Sequence, residues 1–232
     1  MADNATAGST AQNSDLRNGV THIVWDWNGT LLNDTDANLA SVNRLCAEFG
    51  RDPVDLDYWR SIFRRPLIPC YEELLGRPLT DGDWQRIDTT YHDHYKGLLP
   101  SCDLADGVLE VLRAWNAGGG TQSLLSMASH DHLVPLIADR GLTEHFTRVD
   151  GRRYDAEHDS KAEHLVEHLR AQDADPAATV LIGDIDDDAH AATAAGAHAI
   201  LVATGMMSRT RLEATGHPVA ETPAEAVAML YR

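Results

Sequence analysis

Short apolar runs alternate with longer stretches of helical spacing along most of this chain. The runs predict strands at His22–Asp26, Gln122–Ser126, Phe146–Asp150, Thr179–Gly183 and Ala199–Val202, each followed by polar or glycine-containing turns. Between the later strands, helical patterns cover His130–Arg140, the segment carrying Leu165, Val166 and Leu169, and the alanine-rich stretch Ala189–Ala199. Strands in alternation with helices predict an α/β fold, a Rossmann-like parallel sheet covered on both faces. The interval after the first strand is different. Leu39, Val42, Cys46 and Phe49 fall near one helical face ahead of Gly50, and further helical pieces cover Asp57–Phe63, Tyr71–Leu75 and Asp83–Tyr95, with Pro66 and Pro69 marking a break. Residues 35–99 therefore read as an inserted helical cap, and 19–34 with 100–232 as the sheet domain.

Composition narrows the classes of function. The chain has 232 residues, 43% of them hydrophobic, enough for one sizeable core and a smaller domain. It has no run of about 18 apolar residues, which argues against a membrane span. Residues 1–18 are rich in Asn, Ser, Thr and Ala and read as a flexible tail with neither the basic start nor the apolar centre of a secretory signal. A formal charge of −17 would repel phosphate backbones over most of the surface and argues against broad nucleic-acid binding. Any anionic substrate then needs a local positive focus. Lys96 and Lys161 are the only lysines. Cys46, Cys70 and Cys102 are odd in number and widely spaced, which points to reduced thiols and a cytoplasmic protein.

The chemistry sits at strand ends. Ile23-Val24-Trp25-Asp26 closes an apolar run on a carboxylate, and Asn28-Gly29-Thr30 supplies a turn able to cradle an anion. Ser126 closes the second predicted strand, with Ser123 and Ser129 as rivals. Lys161 starts a helical pattern, and Val180-Leu181-Ile182-Gly183-Asp184 leads into Asp186, Asp187 and Asp188. Alone, a serine in that place is a turn residue, a lysine is solvated surface, and an aspartate is helix-start enrichment. In this order they resemble the four motifs of the haloacid dehalogenase (HAD) superfamily, in the branch of phosphoglycolate phosphatase and β-phosphoglucomutase with a helical cap.

That resemblance implies a covalent nucleophile at Asp26 and a phosphoryl-binding Ser126. It also implies a Lys161 that pairs with both nucleophile and phosphoryl group. Gly29 and Thr30 fall in the substrate cradle. Magnesium would be held by Asp26, the backbone carbonyl of Asn28, and Asp184, with Asp188 as a supporting carboxylate and Asp186 or Asp187 as substitutes. Arg64 and Arg65, ahead of Pro66, lie where the cap of related phosphatases faces the core. The departure is Asn28, which stands where the family has its general acid. An amide hydrogen-bonds but cannot protonate a leaving alkoxide, and general acid–base catalysis is worth about 10²–10⁴-fold. The expected function is a Mg²⁺-dependent phosphatase, slow or specialised, acting on a small phosphorylated metabolite as a monomer or homodimer. Phosphonate cleavage needs a cap lysine, and Lys96, near the cap's return linker, is poorly placed for it. That reading, dehalogenation, and a phosphometabolite-binding protein with weakened turnover are the alternatives.

Overall fold

The computed structural model describes residues 19–153 and 160–231, so the predicted tail at 1–18 lies outside the described residues. Strands β1 (His22–Trp25), β2 (Thr121–Ser129), β3 (Val149–Arg152), β4 (Thr179–Gly183), β5 (His198–Val202) and β6 (Val219–Ala220) form one six-stranded sheet in the order β3-β2-β1-β4-β5-β6. Every pairing is parallel. β1 is bracketed by β2 and β4, so the carboxyl ends of three adjacent strands open at one place, where ligands bind in sheets of this kind. Alternation along β1 divides the core. Ile23 and Trp25 enter an apolar cluster with Leu124 and Ile182, whereas Val24 enters another with Leu125 and Leu181.

Helices α1 (Thr35–Glu48), α2 (Leu56–Ile62), α3 (Ile68–Leu75) and α4 (Asp81–Leu98) make up the insertion between β1 and β2. The expected helical pieces are present with shifted ends. A capping box of Thr80 and Asp83 starts α4 earlier than Asp83, and Pro69 falls in the first turn of α3, where its missing N–H costs nothing, so it does not break the helix. Trp59, Phe63, Tyr71 and Ile87 of this insertion share the apolar cluster of Val24 and Leu181, which seats the cap on the sheet. The remaining helices are α5 (Val108–Ala117), α6 (His130–Asp139), α7 (Lys161–Arg170), α8 (Asp186–Ala195), α9 (Arg209–Glu213) and α10 (Pro223–Ala228).

Two strand boundaries depart from the apolar pattern. β2 continues past Ser126 to Ser129, with a register shift against β3 between Leu125 and Ser129, so Ser126 sits at an irregularity inside the strand. β3 starts at Val149, not Phe146, because Thr143–His145 form a 3₁₀ turn capped by Phe146. β6 has only two residues, too few to show a period.

A polar network lies beside the start of β1. The His22 imidazole contacts the hydroxyls of Thr121 and Ser123, each at 2.8 Å. Ser123 also contacts His168 at 2.8 Å, and His168 contacts Asp150 at 2.8 Å. Burial, reinforced by His168, pushes the His22 imidazole down to about 4 from the ordinary 6.5. The folded protein therefore holds His22 neutral while the unfolded chain protonates it. This contribution is fully present above pH 6.5 and is lost as pH falls from 6.5 through about 4. Urea unfolding across that window should show stability falling with acid, and His22→Gln should flatten the slope. An equal slope in both proteins would contradict the assignment.

Candidate active site

Asp26 follows β1 directly, and its backbone N–H donates to Ile182 O at 2.9 Å, which fixes it beside β4. Leu31 and Leu32 both donate to Trp27 O, folding the following residues into a tight loop. Gly29 makes that loop possible with φ of +68°, and a β-carbon there would lie 2.6 Å from Asp184 Oδ2. Lys161 opens α7 behind its Ser160 cap, whose hydroxyl accepts from Glu163 N at 3.3 Å. Asp184 follows β4, and Asp188 lies in the first turn of α8, where its Oδ2 accepts from Ile185 N at 3.1 Å.

These elements bring Asp26, Asp184 and Asp188 together, with one carboxylate oxygen of each within 4.8 Å of the others. All three are buried, as is Lys161. The Lys161 ammonium donates to Asp26 Oδ1 at 2.5 Å and is in contact with Asp188 Oδ1. Burial works against the lysine charge, but Asp188 and Asp26 together outweigh it and hold the ammonium above the ordinary lysine range. Burial pushes the Asp26 carboxyl up while Lys161 pulls it back. Asp184 is pushed well above the usual carboxylate range by burial and then by the charges of Asp26 and Asp188. One ammonium among three buried carboxylates leaves an excess of negative charge. An all-oxygen donor set with that excess suits a hard divalent cation such as Mg²⁺.

Ser126 is buried on the wall of the same cavity, and its hydroxyl accepts from Ala128 N at 3.1 Å. The cavity is about 300 Å³ and also takes in Asp26, Asn28, Gly29, Lys161 and Asp184. Of the two cap arginines, Arg65 lines it. Arg64 is instead turned onto Glu73 at 2.9 Å and the carbonyls of Ile62 and Pro69, so the structure does not bring it to the cavity. Thr30 is fully buried and off the lining. Asp187 lines the wall and Asp186 does not, while Lys96 reaches the wall despite its place at the end of α4.

Three features were missed from the sequence. The loop at Thr204–Met206 grips the site from the side, since Met206 N donates to Asp184 Oδ2 at 3.0 Å and Thr204 Oγ1 donates to Gly29 O at 2.5 Å. Gly205 is obligatory there, because a β-carbon would come within 1.6 Å of Asp184 Oδ2. The others are Asp34 and Tyr95. Asp34 stands at the N-cap of α1 but makes no side-chain bond to its own helix. Its carboxylate turns back to accept from Gly29 N at 2.7 Å, from Asn28 Nδ2 at 3.0 Å, and from the Tyr95 hydroxyl. Asn28 Nδ2 also donates to the Tyr95 hydroxyl at 2.6 Å. Burial pushes the Asp34 carboxyl up, opposed by those three donors, and pushes the Tyr95 phenol far above its usual range. An aspartate before a helix looks like an ordinary cap, so only the missing carboxylate at position 28 pointed to it.

The family model for haloacid dehalogenase-like hydrolases matches residues 23–202. The chain belongs to that family. Among curated proteins it is 28% identical over 222 residues to a phosphoglycolate phosphatase of Synechococcus elongatus, covering 90% of this chain and 98% of that one. It is 26% identical over 191 residues to a phosphoglycolate phosphatase of Mesorhizobium japonicum, covering 81% and 84%. Among solved structures, a haloacid dehalogenase-like family hydrolase of Streptococcus pneumoniae superposes with a TM-score of 0.76 at 18% identity, covering 90% of this chain and 97% of that one. A HAD hydrolase of family IA, variant 3, from Entamoeba histolytica gives 0.74 at 17% identity, covering 92% and 100%. These structural likenesses speak for the fold. The family membership makes the protein a hydrolase and bears out the expected α/β sheet. No helix among the described residues is long and apolar enough to cross a membrane.

Removing the lysine tests the balance of charge directly. Lys161→Ala should cost about 3–5 kcal/mol of unfolding free energy in the absence of divalent cations, because it strands buried carboxylates. Urea denaturation in chelator measures it. A loss below about 1 kcal/mol would show that Lys161 does not hold the cluster together.

Proposed function

We propose that the protein is a Mg²⁺-dependent phosphatase of a small phosphorylated metabolite, working through a phosphorylated Asp26. The observation that carries this reading is Lys161, held at 2.5 Å from Asp26 and in contact with Asp188 beside Asp184. A buried carboxylate kept near a fixed ammonium is oriented as a nucleophile, and the same ammonium can neutralise an incoming phosphoryl oxygen. Ser126 would bind a second phosphoryl oxygen from the cavity wall. Asp26, Asp184 and the backbone carbonyl of Asn28 would hold Mg²⁺, with Asp188 anchoring Lys161 at their side. When bound, the metal would neutralise charge on the transferring group.

The relatives named phosphoglycolate phosphatases favour a small phosphorylated acid as substrate, and the cations of Arg65 and Lys96 on the cavity wall would meet its second anionic group. Gly29 spends its N–H on Asp34, so its part is to let the loop approach Asp184 closely. Three unpaired cysteines, two of them buried, are in keeping with a reducing, cytoplasmic setting.

One observation favours a second reading. Lys96 lines the cavity, so an imine with a carbonyl-bearing phosphonate is within the chemistry of the wall. Borohydride in the presence of phosphonoacetaldehyde would trap Lys96 if that reading holds and leave it unmodified if it does not.

Phosphate release from a panel of phosphorylated metabolites should require Mg²⁺ and stop in chelator. Asp26→Asn should abolish release while leaving the circular-dichroism spectrum intact, and Asp184→Ala should raise the Mg²⁺ requirement at least tenfold, since even outer-shell partners of metal ligands are worth about that much. Undiminished turnover by Asp26→Asn would remove the covalent mechanism.

A further inference from the structure

Hydrolysis through Asp26 requires a proton at the departing oxygen and must take one from the attacking water. Asn28 can do neither. Asp26, Asp184 and Asp188 are already held around Lys161 and the candidate cation position. Asp34 is the further buried carboxyl on the cavity wall, and its Oδ2 lies 3.0 Å from Asn28 Nδ2. It therefore ends about one hydrogen bond from the place where a carboxylate borne by residue 28 would end. Asp187 also lines the wall, but it sits on α8, not on the loop that carries residue 28.

The sequence exchange is local and complementary. A second carboxylate at position 28 would face the Asp34 charge across a hydrogen-bond distance, whereas the Asn28 amide donates to it. Tyr95 completes the group from α4 of the cap. Its hydroxyl donates to Asp34 Oδ2 and accepts from Asn28 Nδ2. Gly29 N fixes the other oxygen at 2.7 Å. Asp34 gives its own helix no capping bond, so the side chain is committed to this cluster.

We propose that Asp34, oriented by Tyr95, is the proton-transfer residue that residue 28 no longer supplies. This assignment rests on the phosphatase reading of the site. In the first step Asp26 attacks phosphorus, the bond from phosphorus to the alcohol oxygen breaks with its electron pair going to that oxygen, and the Asp34 carboxyl gives it a proton. In the second step water attacks phosphorus and gives a proton to Asp34, and the bond from phosphorus to Asp26 breaks with its electron pair returning to the carboxylate. Alcohol and phosphate leave, and Asp34 regains the proton it lent. Tyr95 acts through Asp34 and is a positioning residue. Because it comes from the cap, the proton-carrying group is complete only with the cap seated on the core.

Rapid-quench kinetics with an alkyl phosphate and with p-nitrophenyl phosphate test the assignment in the native protein, Asp34→Asn, Tyr95→Phe and the double exchange Asn28→Asp/Asp34→Asn. Asp34→Asn should lose about 10²–10⁴-fold in steady-state hydrolysis of the alkyl phosphate. It should still release a first equivalent of nitrophenol and accumulate phosphorylated Asp26, because the aryl group leaves without protonation while the attack of water lacks its base. Tyr95→Phe should show a smaller loss with the same dependence on leaving group. The double exchange should recover at least tenfold over Asp34→Asn on both substrates, with the carboxylate back at residue 28. A purely structural Asp34 would instead give equal losses on both substrates with no phosphorylated protein. That result, or unchanged turnover by Asp34→Asn, overturns the assignment while leaving the phosphatase reading in place. A native protein that releases phosphate from neither substrate overturns both.

Discussion

The Lys161 ammonium, buried between Asp26 and Asp188, is the interaction on which the rest of the site depends. A single positive charge cannot neutralise three buried carboxylates, and burying unpaired charge is among the most expensive things a fold can do. The cost is tolerated because the members are held by three separate parts of the chain. β1 delivers Asp26, α7 delivers Lys161, and the turn from β4 into α8 delivers Asp184 and Asp188. They meet because β1 lies beside β4 in the sheet order. The residual negative charge that makes the cluster costly in isolation is what would favour a divalent cation beside it, and a phosphoryl group would then meet that cation and Lys161.

A second constraint comes from close packing around Asp184. Gly29 and Gly205 approach it from two sides, each at a distance that admits no side chain, and Met206 N donates to its Oδ2. The loop at residues 204–206 is in turn tied to the first loop through Thr204 and Gly29 O, and to the cap through Arg60, whose Nε donates to Gly205 O at 2.9 Å. The helical insertion is therefore linked to the Asp184 carboxylate through the loop at residues 204–206, and to Asn28 through Tyr95 and Asp34.

Much of this was legible in the sequence because the decisive residues sit at the ends of short buried runs. Asp26 and Asp184 each follow a fully buried, mostly apolar strand, and Lys161 stands out in a chain with so few lysines. The cap was legible as helical spacing between two strands, although helix ends moved where Thr80 and Pro69 set them. What escaped was tertiary. Ser126 looked like a strand end because the register shift that extends β2 leaves no mark in composition. Arg64 and Arg65 are neighbours in sequence, yet one pairs with Glu73 and the other lines the cavity. Asp34 and Tyr95 are 61 residues apart and meet only when the cap folds onto the core.

Covalent chemistry at Asp26 is what the proposed reaction requires above all. The most direct measurement is acid-quenched peptide mapping of the native protein after brief exposure to p-nitrophenyl phosphate and Mg²⁺. The account predicts a single acid-stable, hydroxylamine-sensitive phosphoryl adduct on the peptide carrying Asp26, absent from Asp26→Asn. Phosphate release without any adduct there, or with the adduct on another residue, would contradict it.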